Sequence, residues 1–265
     1  MPYLTRDNIE LYYETHGQAS LPPLLLSHGF SATSSMWKPN IPALSQNYHL
    51  IIWDMRGHGR TSYPDDPSAY SEEHTVSDIA ALLDHIVGKG SKAIIGGLSL
   101  GGYMSLAFYR VYPERVSSLL IIDTGPGFKK DSAREAWNKT ANEQAQDFEK
   151  HGLSRLQNLS PERARAANEH RDATGLALAA KGMLAQRNNA VIMSLPQVNV
   201  PSLIVVGSED KPFIAASDYM TRVIKGAKKV IIDGAGHASN IDRPKEFDEA
   251  ILGFLKDVGG SQSKL

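Results

Sequence analysis

The sequence predicts one α/β domain built on a mostly parallel, doubly wound sheet with helices on both faces. Short β-rich runs alternate with helical patterns along the chain, as strands and crossover helices do in such a sheet. Four of these runs are continuously apolar, which is typical of strands covered on both faces: residues 24–26, 93–95, 119–122 and 203–206. A chain of 265 residues is also long enough to bury one sizeable core.

Seven strands are predicted in all. They cover residues 9–13, 24–27, 50–53, 93–96, 119–122, 203–206 and 230–232. In the first of them Ile9, Leu11 and Tyr13 alternate with polar neighbours, which indicates a strand with one exposed face. We therefore expect this strand at an edge of the sheet.

The segment between residues 125 and 196 has a different composition. β-branched runs disappear there and Ala, Glu, Gln, Arg and Asn dominate, which predicts helices. One is expected over residues 131–150, one begins at Ser160 with Pro161 in its first turn, and one covers 172–187. We interpret 125–196 as a helical lid inserted into a core formed by 1–124 and 197–258, followed by a flexible tail, 259–265.

Charge and residue content exclude several kinds of protein. The 28 Lys and Arg side chains balance 29 Asp and Glu side chains, so no basic field favours nucleic acid or a membrane surface as a partner. The absence of cysteine excludes disulfides, thiolate metal sites and a cysteine nucleophile. No histidine pair has the spacing of a zinc helix, and no stretch is as apolar as a signal peptide or membrane span. We expect a soluble protein that uses neither a metal nor a cofactor.

A Gly-x-Ser-x-Gly motif, residues 97–101, lies between the predicted strand 93–96 and a helical pattern. This context predicts a sharp strand-to-helix turn that raises the hydroxyl of Ser99 above the sheet, with Gly97 and Gly101 allowing the strand and helix to approach closely. The first N–H groups of the helix can stabilise an anion at the same place. Two other interpretations are a phosphate-binding loop, which lacks its lysine here, and a structural turn with an incidental serine.

Two later strands end in candidate partners for Ser99. Asp210 follows the run 203–206, and His237 follows 230–232. His237 would take the proton of the weakly nucleophilic serine, and the acid would hold the imidazole in the required tautomer. Asp123 and Glu209 are the alternatives for the acid. We expect other histidines to be solvated or hydrogen-bonded surface groups, among them His74, His85, His151 and His170.

Motifs at residues 27–30, 53–62, 97–102, 207–210 and 236–237 resemble those of the α/β-hydrolase superfamily along nearly the whole chain. Within it, the sequence around Ser99 and the segment 123–127 are similar to the small-molecule esterase and 3-oxoadipate enol-lactonase branch. The resemblance implies the α/β-hydrolase fold and a catalytic triad of Ser99, His237 and Asp210. It also implies that the backbone N–H groups of Phe30 and Leu100 form the oxyanion hole.

This resemblance implies hydrolysis of a carboxylic ester or lactone of a small, largely apolar molecule through an acyl-enzyme intermediate. Ser99 would attack, the two amides would hold the oxyanion, and water activated by His237 would release the acid. Carbon–carbon bond hydrolases and perhydrolases share the triad and stay as alternatives, as does a ligand-binding receptor of this fold. An epoxide hydrolase would carry aspartate in place of Ser99. His28 is expected to brace the Phe30 loop through hydrogen bonds.

Bulky apolar residues stand next to each reactive element. They are candidates for lining an apolar pocket: Phe30, Met36, Trp37, Leu100, Phe128, Trp137, Phe148 and Phe213. For the members of the lid, packing of helix on sheet explains them equally well.

The last three residues, Ser263, Lys264 and Leu265, form the tripeptide that the peroxisomal import receptor reads. We therefore expect a peroxisomal protein if the source is eukaryotic and a cytoplasmic protein otherwise. The sequence names neither the acyl and alcohol groups of the substrate nor the oligomeric state.

Overall fold

The computed structural model describes residues 2–158, 160, 163 and 166–262. Its core is one eight-stranded sheet. The strands are β1 (Tyr3–Arg6), β2 (Ile9–His16), β3 (Pro23–Ser27), β4 (His49–Trp53), β5 (Ala93–Leu98), β6 (Val116–Ile122), β7 (Ser202–Gly207) and β8 (Lys228–Ile232). They lie in the order β1-β2-β4-β3-β5-β6-β7-β8, and only the β1–β2 and β2–β4 pairs are antiparallel. The predicted mostly parallel sheet is confirmed.

Helices cover both faces of the sheet. They are α1 (Ile41–Leu44), α2 (Glu72–Ile86), α3 (Leu100–Val111), α4 (Asp131–His151), α5 (Ala173–Ala179), α6 (Ala190–Ser194), α7 (Lys211–Val223), α8 (Ser239–Asp242) and α9 (Pro244–Gln262). Successive residues of a strand point to opposite faces, so a continuous apolar run supplies two cores. Leu25 packs in the core that contains Ile79 of α2, whereas Leu24 and Leu26 pack in the core that contains Phe247 of α9.

One strand is not predicted by the sequence pattern. β1 and β2 form a hairpin whose turn residues, Asp7 and Asn8, have φ angles of 51° and 61°. Asp and Asn tolerate this left-handed conformation better than other residues with a side chain. β1 takes the edge position, so the prediction that residues 9–13 form an edge strand is wrong. The alternation in β2 reflects the partly exposed face of an antiparallel pair.

The segment between β6 and β7 contains only helices and loops among the described residues. It holds α4, α5, a π-helical turn at Ala180–Leu184, and α6. The predicted helix 172–187 is too long, because the chain becomes extended at Ala185 and the backbone of Gln186 bonds the side chain of Asn138 instead. The helix predicted to begin at Ser160 falls largely outside the described residues.

The last helix extends further than the sequence predicts. α9 runs to Gln262, so residues 259–262 of the predicted flexible tail are helical, since glycine weakens a helix without necessarily ending it. The predicted import tripeptide, residues 263–265, lies outside the described part of the chain. Within the described residues, no helix is long and apolar enough to cross a membrane.

Candidate active site

Ser99 stands at the sharp turn between β5 and α3. Its φ of 55° and ψ of −115° lie in a region that residues with a side chain rarely occupy. Three hydrogen bonds hold it there: its N–H donates to the Ile122 carbonyl at 2.9 Å, and its carbonyl accepts from the Tyr103 N–H at 3.0 Å and the Thr124 hydroxyl at 2.7 Å. The sharp strand-to-helix turn predicted at Ser99 is therefore present and strained.

The two glycines of the motif are required by the close approach of three segments. A Cβ atom on Gly97 would lie 2.5 Å from the carbonyl carbon of Gly101, and one on Gly101 would lie 2.6 Å from the carbonyl carbon of Ser27 in β3. Neither distance leaves room for a methyl group, and both obstacles are backbone. The start of α3 is thereby pressed against the ends of β3 and β5.

His237 and Asp210 meet at the same edge of the sheet. Asp210 follows β7 at the start of α7, and His237 lies in the loop between β8 and α8. The Nδ1 atom of His237 is 2.8 Å from Oδ2 of Asp210, whose side chain is 5% exposed, whereas that of His237 is 26% exposed. Because an ionised carboxylate can only accept, this contact puts the proton on Nδ1 and leaves Nε2 as the basic nitrogen.

A cavity of about 130 Å³ borders Ser99. Leu100 and Phe213 also line it. The ring of Phe213 also stacks on His237, with centroids 4.9 Å apart and planes 25° from parallel. Phe213 thus contacts the imidazole and borders the cavity that Ser99 opens into.

The insertion between β6 and β7 supplies another part of the lining of this cavity, here called the lid wall. Phe128, Trp137, Leu184 and Gln186 line it there. Of the apolar candidates from the sequence, Leu100, Phe128, Trp137 and Phe213 are lining residues. The others pack elsewhere: Met36 and Trp37 belong to the core under α9, and the ring of Phe148 packs on that of Phe30.

Asp123, one alternative for the acid, has other partners. Its Oδ1 accepts from the Gly207 N–H at 2.8 Å, and its Oδ2 accepts from both the N–H and the hydroxyl of Ser239, at 3.1 and 2.5 Å. Burial raises the pKa of Asp123 to about 7. Glu209, the other alternative, is exposed. Asp123 therefore ties the loop before Asp210 to the loop after His237.

The two amides predicted to form the oxyanion hole, those of Phe30 and Leu100, belong to different segments of the chain. Leu100 is the first residue of α3, where an N–H has no partner within the helix. Phe30 is buried in the loop that leaves β3. Among the described residues, no backbone carbonyl accepts a hydrogen bond from either N–H group.

Ser31, next to Phe30, is held on both sides of its peptide by histidines. Its φ is 57°, its N–H donates to Nε2 of His58 at 3.1 Å, and its carbonyl lies 3.1 Å from Nε2 of His170. Nδ1 of His58 lies 3.0 Å from the Arg56 carbonyl, and Nδ1 of His170 accepts from the Gly59 N–H at 3.1 Å. His170 is buried, so the prediction that it is a surface group is wrong.

His28 has the same kind of partners as this pair. Its Nδ1 lies 2.7 Å from the Gly29 carbonyl, and its Nε2 accepts from the Met55 N–H at 2.9 Å, so it braces the loop as expected. Each of the three rings has one nitrogen that accepts from an N–H, which only a neutral imidazole can do. Burial lowers the pKa of His28 to about 3, and it lowers the pKa values of His58 and His170 as well.

The sequence patterns do not predict the structural roles of three residues in this region. Gln186 and His170 lie in the insertion, where no strand end or motif marks them, and Asp123 is predicted only as an alternative acid for the triad. A buried aspartate directly after a strand is the one available signal, because such residues often pin neighbouring loops. Among the described residues no cluster of His, Asp and Glu side chains could hold a metal ion.

Comparison with known proteins gives the family. Residues 22–244 match the family described as alpha/beta hydrolase fold. The chain is similar to a putative 2-succinyl-6-hydroxy-2,4-cyclohexadiene-1-carboxylate synthase of Bacillus subtilis, with 25% identity over 95% of this chain and 97% of the relative. It is also similar to 3-oxoadipate enol-lactonase 2 of Acinetobacter baylyi, with 26% identity over 96% of each chain.

Among solved structures, a thermophilic esterase from Thermogutta terrifontis superposes with a TM-score of 0.78. It is 28% identical, and the match covers 97% of both chains. The fold predicted from the motifs agrees with this likeness, and relatives named as enol-lactonase and esterase share the activity class that the resemblance implied. The chain belongs to the alpha/beta hydrolase fold family and is a hydrolase.

Proposed function

We propose that this hydrolase cleaves a carboxylic ester or lactone of a small, largely apolar molecule through an acyl-enzyme on Ser99. The observation that carries the proposal is the cavity on which Ser99 opens, whose wall residue Phe213 stacks on the imidazole of His237. The 2.8 Å contact with Asp210 supports His237 as the base, because it orients the ring and favours the imidazolium that forms.

In the first half-reaction, Oγ of Ser99 adds to the carbonyl carbon while its proton moves to Nε2 of His237. The carbonyl oxygen becomes an oxyanion, which the N–H groups of Phe30 and Leu100 stabilise. Each such donor typically contributes about 2.7–4 kcal/mol to the transition state. The tetrahedral intermediate then expels the alcohol, which takes the proton from His237 and leaves the acyl group on Ser99.

In the second half-reaction, water replaces the alcohol. His237 takes a proton from the water as it adds to the acyl carbon, and the carbon–oxygen bond to Ser99 breaks. The serine recovers its proton from the imidazolium, and the carboxylic acid leaves. For a lactone the alcohol and the acid are parts of one product.

We also propose that residues 125–196 act as a lid. Phe128, Trp137, Leu184 and Gln186 of this segment line the same cavity as Ser99, which supports a segment that covers the reacting group and limits access of water. Localisation in peroxisomes rests on residues 263–265 alone and stays a prediction.

The experiment that tests the function is hydrolysis of a p-nitrophenyl ester panel by wild type, Ser99→Ala and the control Ser132→Ala. Ser132 is an exposed serine on α4. We expect Ser99→Ala to lose turnover by a factor on the order of 10⁶ and to lose labelling by a fluorophosphonate, as for other triad serines, while the control keeps both. A wild type that neither turns over nor takes the label would refute the proposal.

The same proteins separate the alternatives with the same triad. A β-diketone assay reports carbon–carbon bond hydrolysis, and halogenation in the presence of peroxide reports perhydrolysis. Turnover of these substrates above that of every ester would replace the ester proposal. A ligand that raises the melting temperature without repeated turnover would instead favour the receptor interpretation.

A further inference from the structure

We propose that the cavity accepts a compact, uncharged acyl group that carries a hydrogen-bonding oxygen, and that the side chain of Gln186 binds this oxygen. The inference rests on the proposed function, because it assumes that the acyl group on Ser99 occupies the cavity. It adds the class of substrate and names a residue that determines specificity.

The lining of the cavity is uncharged. Its residues are apolar, aromatic or neutral polar, and none is an Arg, Lys, His, Asp or Glu among the residues that the structure describes. The nearest cations in sequence, Lys129 and Lys211, adjoin lining residues without lining the cavity themselves, and the ammonium of Lys129 lies over the ring of Tyr219. A carboxylate on the acyl group would lose its hydration without gaining an ionic partner, which is strongly unfavourable.

The size of the cavity restricts the acyl group further. Its volume of about 130 Å³ is slightly below the roughly 150 Å³ of an apolar cavity that binds benzene. An acyl group of about the bulk of a benzene ring therefore fills the space. A long unbranched chain would extend beyond this space.

Among the described residues of the lid wall, Gln186 has a buried side-chain oxygen without a hydrogen-bond partner. Its backbone is fixed to Asn138 of α4, since the Gln186 N–H donates to Oδ1 of Asn138 at 2.7 Å and its carbonyl accepts from Nδ2 at 2.8 Å. Its side chain is 8% exposed, and Oε1 is buried without a hydrogen bond. A carboxamide held in this way on a preorganised backbone is ready for a ligand atom.

The orientation of the carboxamide indicates which ligand atom fits. Oε1 lies against Gly127, where an added Cβ atom would be 2.8 Å away. The NH₂ arm is the other end of the group, and rotation about the last torsion exchanges the two ends. A keto oxygen can accept from the NH₂ group, and a hydroxyl can pair with either end. Both are neutral, as the rest of the lining requires.

The experiment compares p-nitrophenyl esters of four acids: valeric acid, levulinic acid, succinic acid as its half ester, and decanoic acid. The first three chains have similar length and differ in carrying a methylene group, a keto group or a carboxylate. For wild type we expect the levulinate ester to give the highest kcat/KM, with the succinate half ester and the decanoate at least about tenfold lower.

Substitution at Gln186 tests its part directly. In Gln186→Leu and in the more flexible Gln186→Met, we expect the levulinate-to-valerate ratio of kcat/KM to fall about 5- to 100-fold, because the keto oxygen loses its donor. The control Gln146→Leu changes an exposed glutamine on α4 and is expected to keep the wild-type ratio. An unchanged ratio in both Gln186 variants, or hydrolysis of the succinate half ester as fast as that of levulinate, would overturn the inference.

Binding separates this inference from the proposed function. Calorimetric titration of Ser99→Ala with the methyl esters of the same acids measures the order of affinity without turnover. If wild type hydrolyses none of the esters but Ser99→Ala prefers the keto ester and loses that preference with Gln186→Leu, the inference stands and the proposed function fails. If the esters are hydrolysed with no such preference in rate or binding, the inference fails and the function stands.

Discussion

The histidines of the candidate active site fall into two groups, His237 alone and three buried rings, which have opposite hydrogen-bonding environments. His237 is partly exposed and has a carboxylate, Asp210, on Nδ1. His28, His58 and His170 are buried, and both nitrogens of each ring face backbone groups. A carboxylate stabilises an imidazolium, whereas a backbone N–H that donates to the ring destabilises it. His237 can therefore be protonated during the reaction, but the buried rings stay neutral and serve to position the backbone.

The two groups contribute differently to the proposed mechanism. His237, oriented by Asp210, would move the proton between serine, alcohol and water. The buried trio instead fixes the loop that carries the Phe30 amide, with His58 and His170 bonded to the backbone of Ser31. The first group should therefore control the rate through protonation and the second through geometry.

Among the substitutions that test this comparison, Asp210→Asn is expected to lower kcat most. The amide cannot stabilise the imidazolium and favours the wrong tautomer of His237, so kcat should fall about 10⁴-fold, the size of this substitution in a serine protease. Stopped-flow or steady-state assays with a p-nitrophenyl ester measure the fall.

Asp123→Asn is the matched control for that substitution. One arm of the new amide would be an NH₂ group facing either the Gly207 N–H or the Ser239 N–H, so the free energy of unfolding should drop by about 1–3 kcal/mol. Its loss of kcat should be much smaller than that of Asp210→Asn. The reverse order of the two kcat losses would assign the acid of the triad to Asp123.

A smaller effect is expected from His170→Ala. Removing the ring frees the Ser31 carbonyl and lets the Phe30 amide drift, so kcat should fall about 10- to 100-fold, less than or equal to the loss of a whole oxyanion donor. KM should change little, because His170 does not line the cavity. In His170→Gln the Nε2 amide can still donate to Ser31, and a partial recovery of kcat is expected. Equal losses in both variants would show that His170 serves only the packing of the insertion.

The smallest effect concerns the pH dependence of stability. The pKa of His28 is about 3 in the folded protein and about 6.5 in the unfolded chain. Below about pH 6.5, His28 is therefore protonated in the unfolded chain but stays neutral in the folded protein. This contribution to stability is complete above about pH 6.5 and is lost as the pH falls towards 3. Between about pH 7.5 and 5.5, the free energy of unfolding of wild type minus that of His28→Gln should shrink by about 1.4 kcal/mol.

Urea unfolding of the two proteins at both pH values measures this difference directly. Subtracting the variant removes the contributions of the raised carboxyl pKa values of Asp123 and Asp248, which have the opposite sign. A difference that stays constant with pH would show that folding does not lower the pKa of His28.

The residues that the sequence predicts for the site share one property: each follows a strand. In a parallel sheet the carboxyl ends of the strands meet at one edge, so residues that follow β5, β7 and β8, namely Ser99, Asp210 and His237, are expected at the same edge. The choice between Asp210 and Asp123 depends on the path of two loops, which the pattern of apolar residues does not encode. β1 is not predicted because its four residues, Tyr3–Arg6, are too few to show the alternation of apolar and polar side chains that marks a strand.

The sequence predicts that the insertion is helical, but it does not predict which of its side chains reach the site. Its helical character follows from composition, whereas the positions of Gln186 and His170 depend on how the helices fold back over the sheet. A helical pattern fixes which residues share a face, but not which of them meets the cavity. The side chains that close the site are therefore the ones that sequence reasoning leaves out.

The bond between His170 and the Ser31 carbonyl has a consequence for anyone who exchanges insertions between relatives to obtain a new specificity. His170 belongs to the transplanted piece, but its partners Ser31 and Gly59 belong to the recipient. Glu169 also belongs to the insertion but bonds a residue of the core, since it accepts a hydrogen bond from Thr33 at 2.5 Å. A chimera that keeps the triad but imports an insertion without these two side chains would inherit a new pocket wall and a misaligned oxyanion hole.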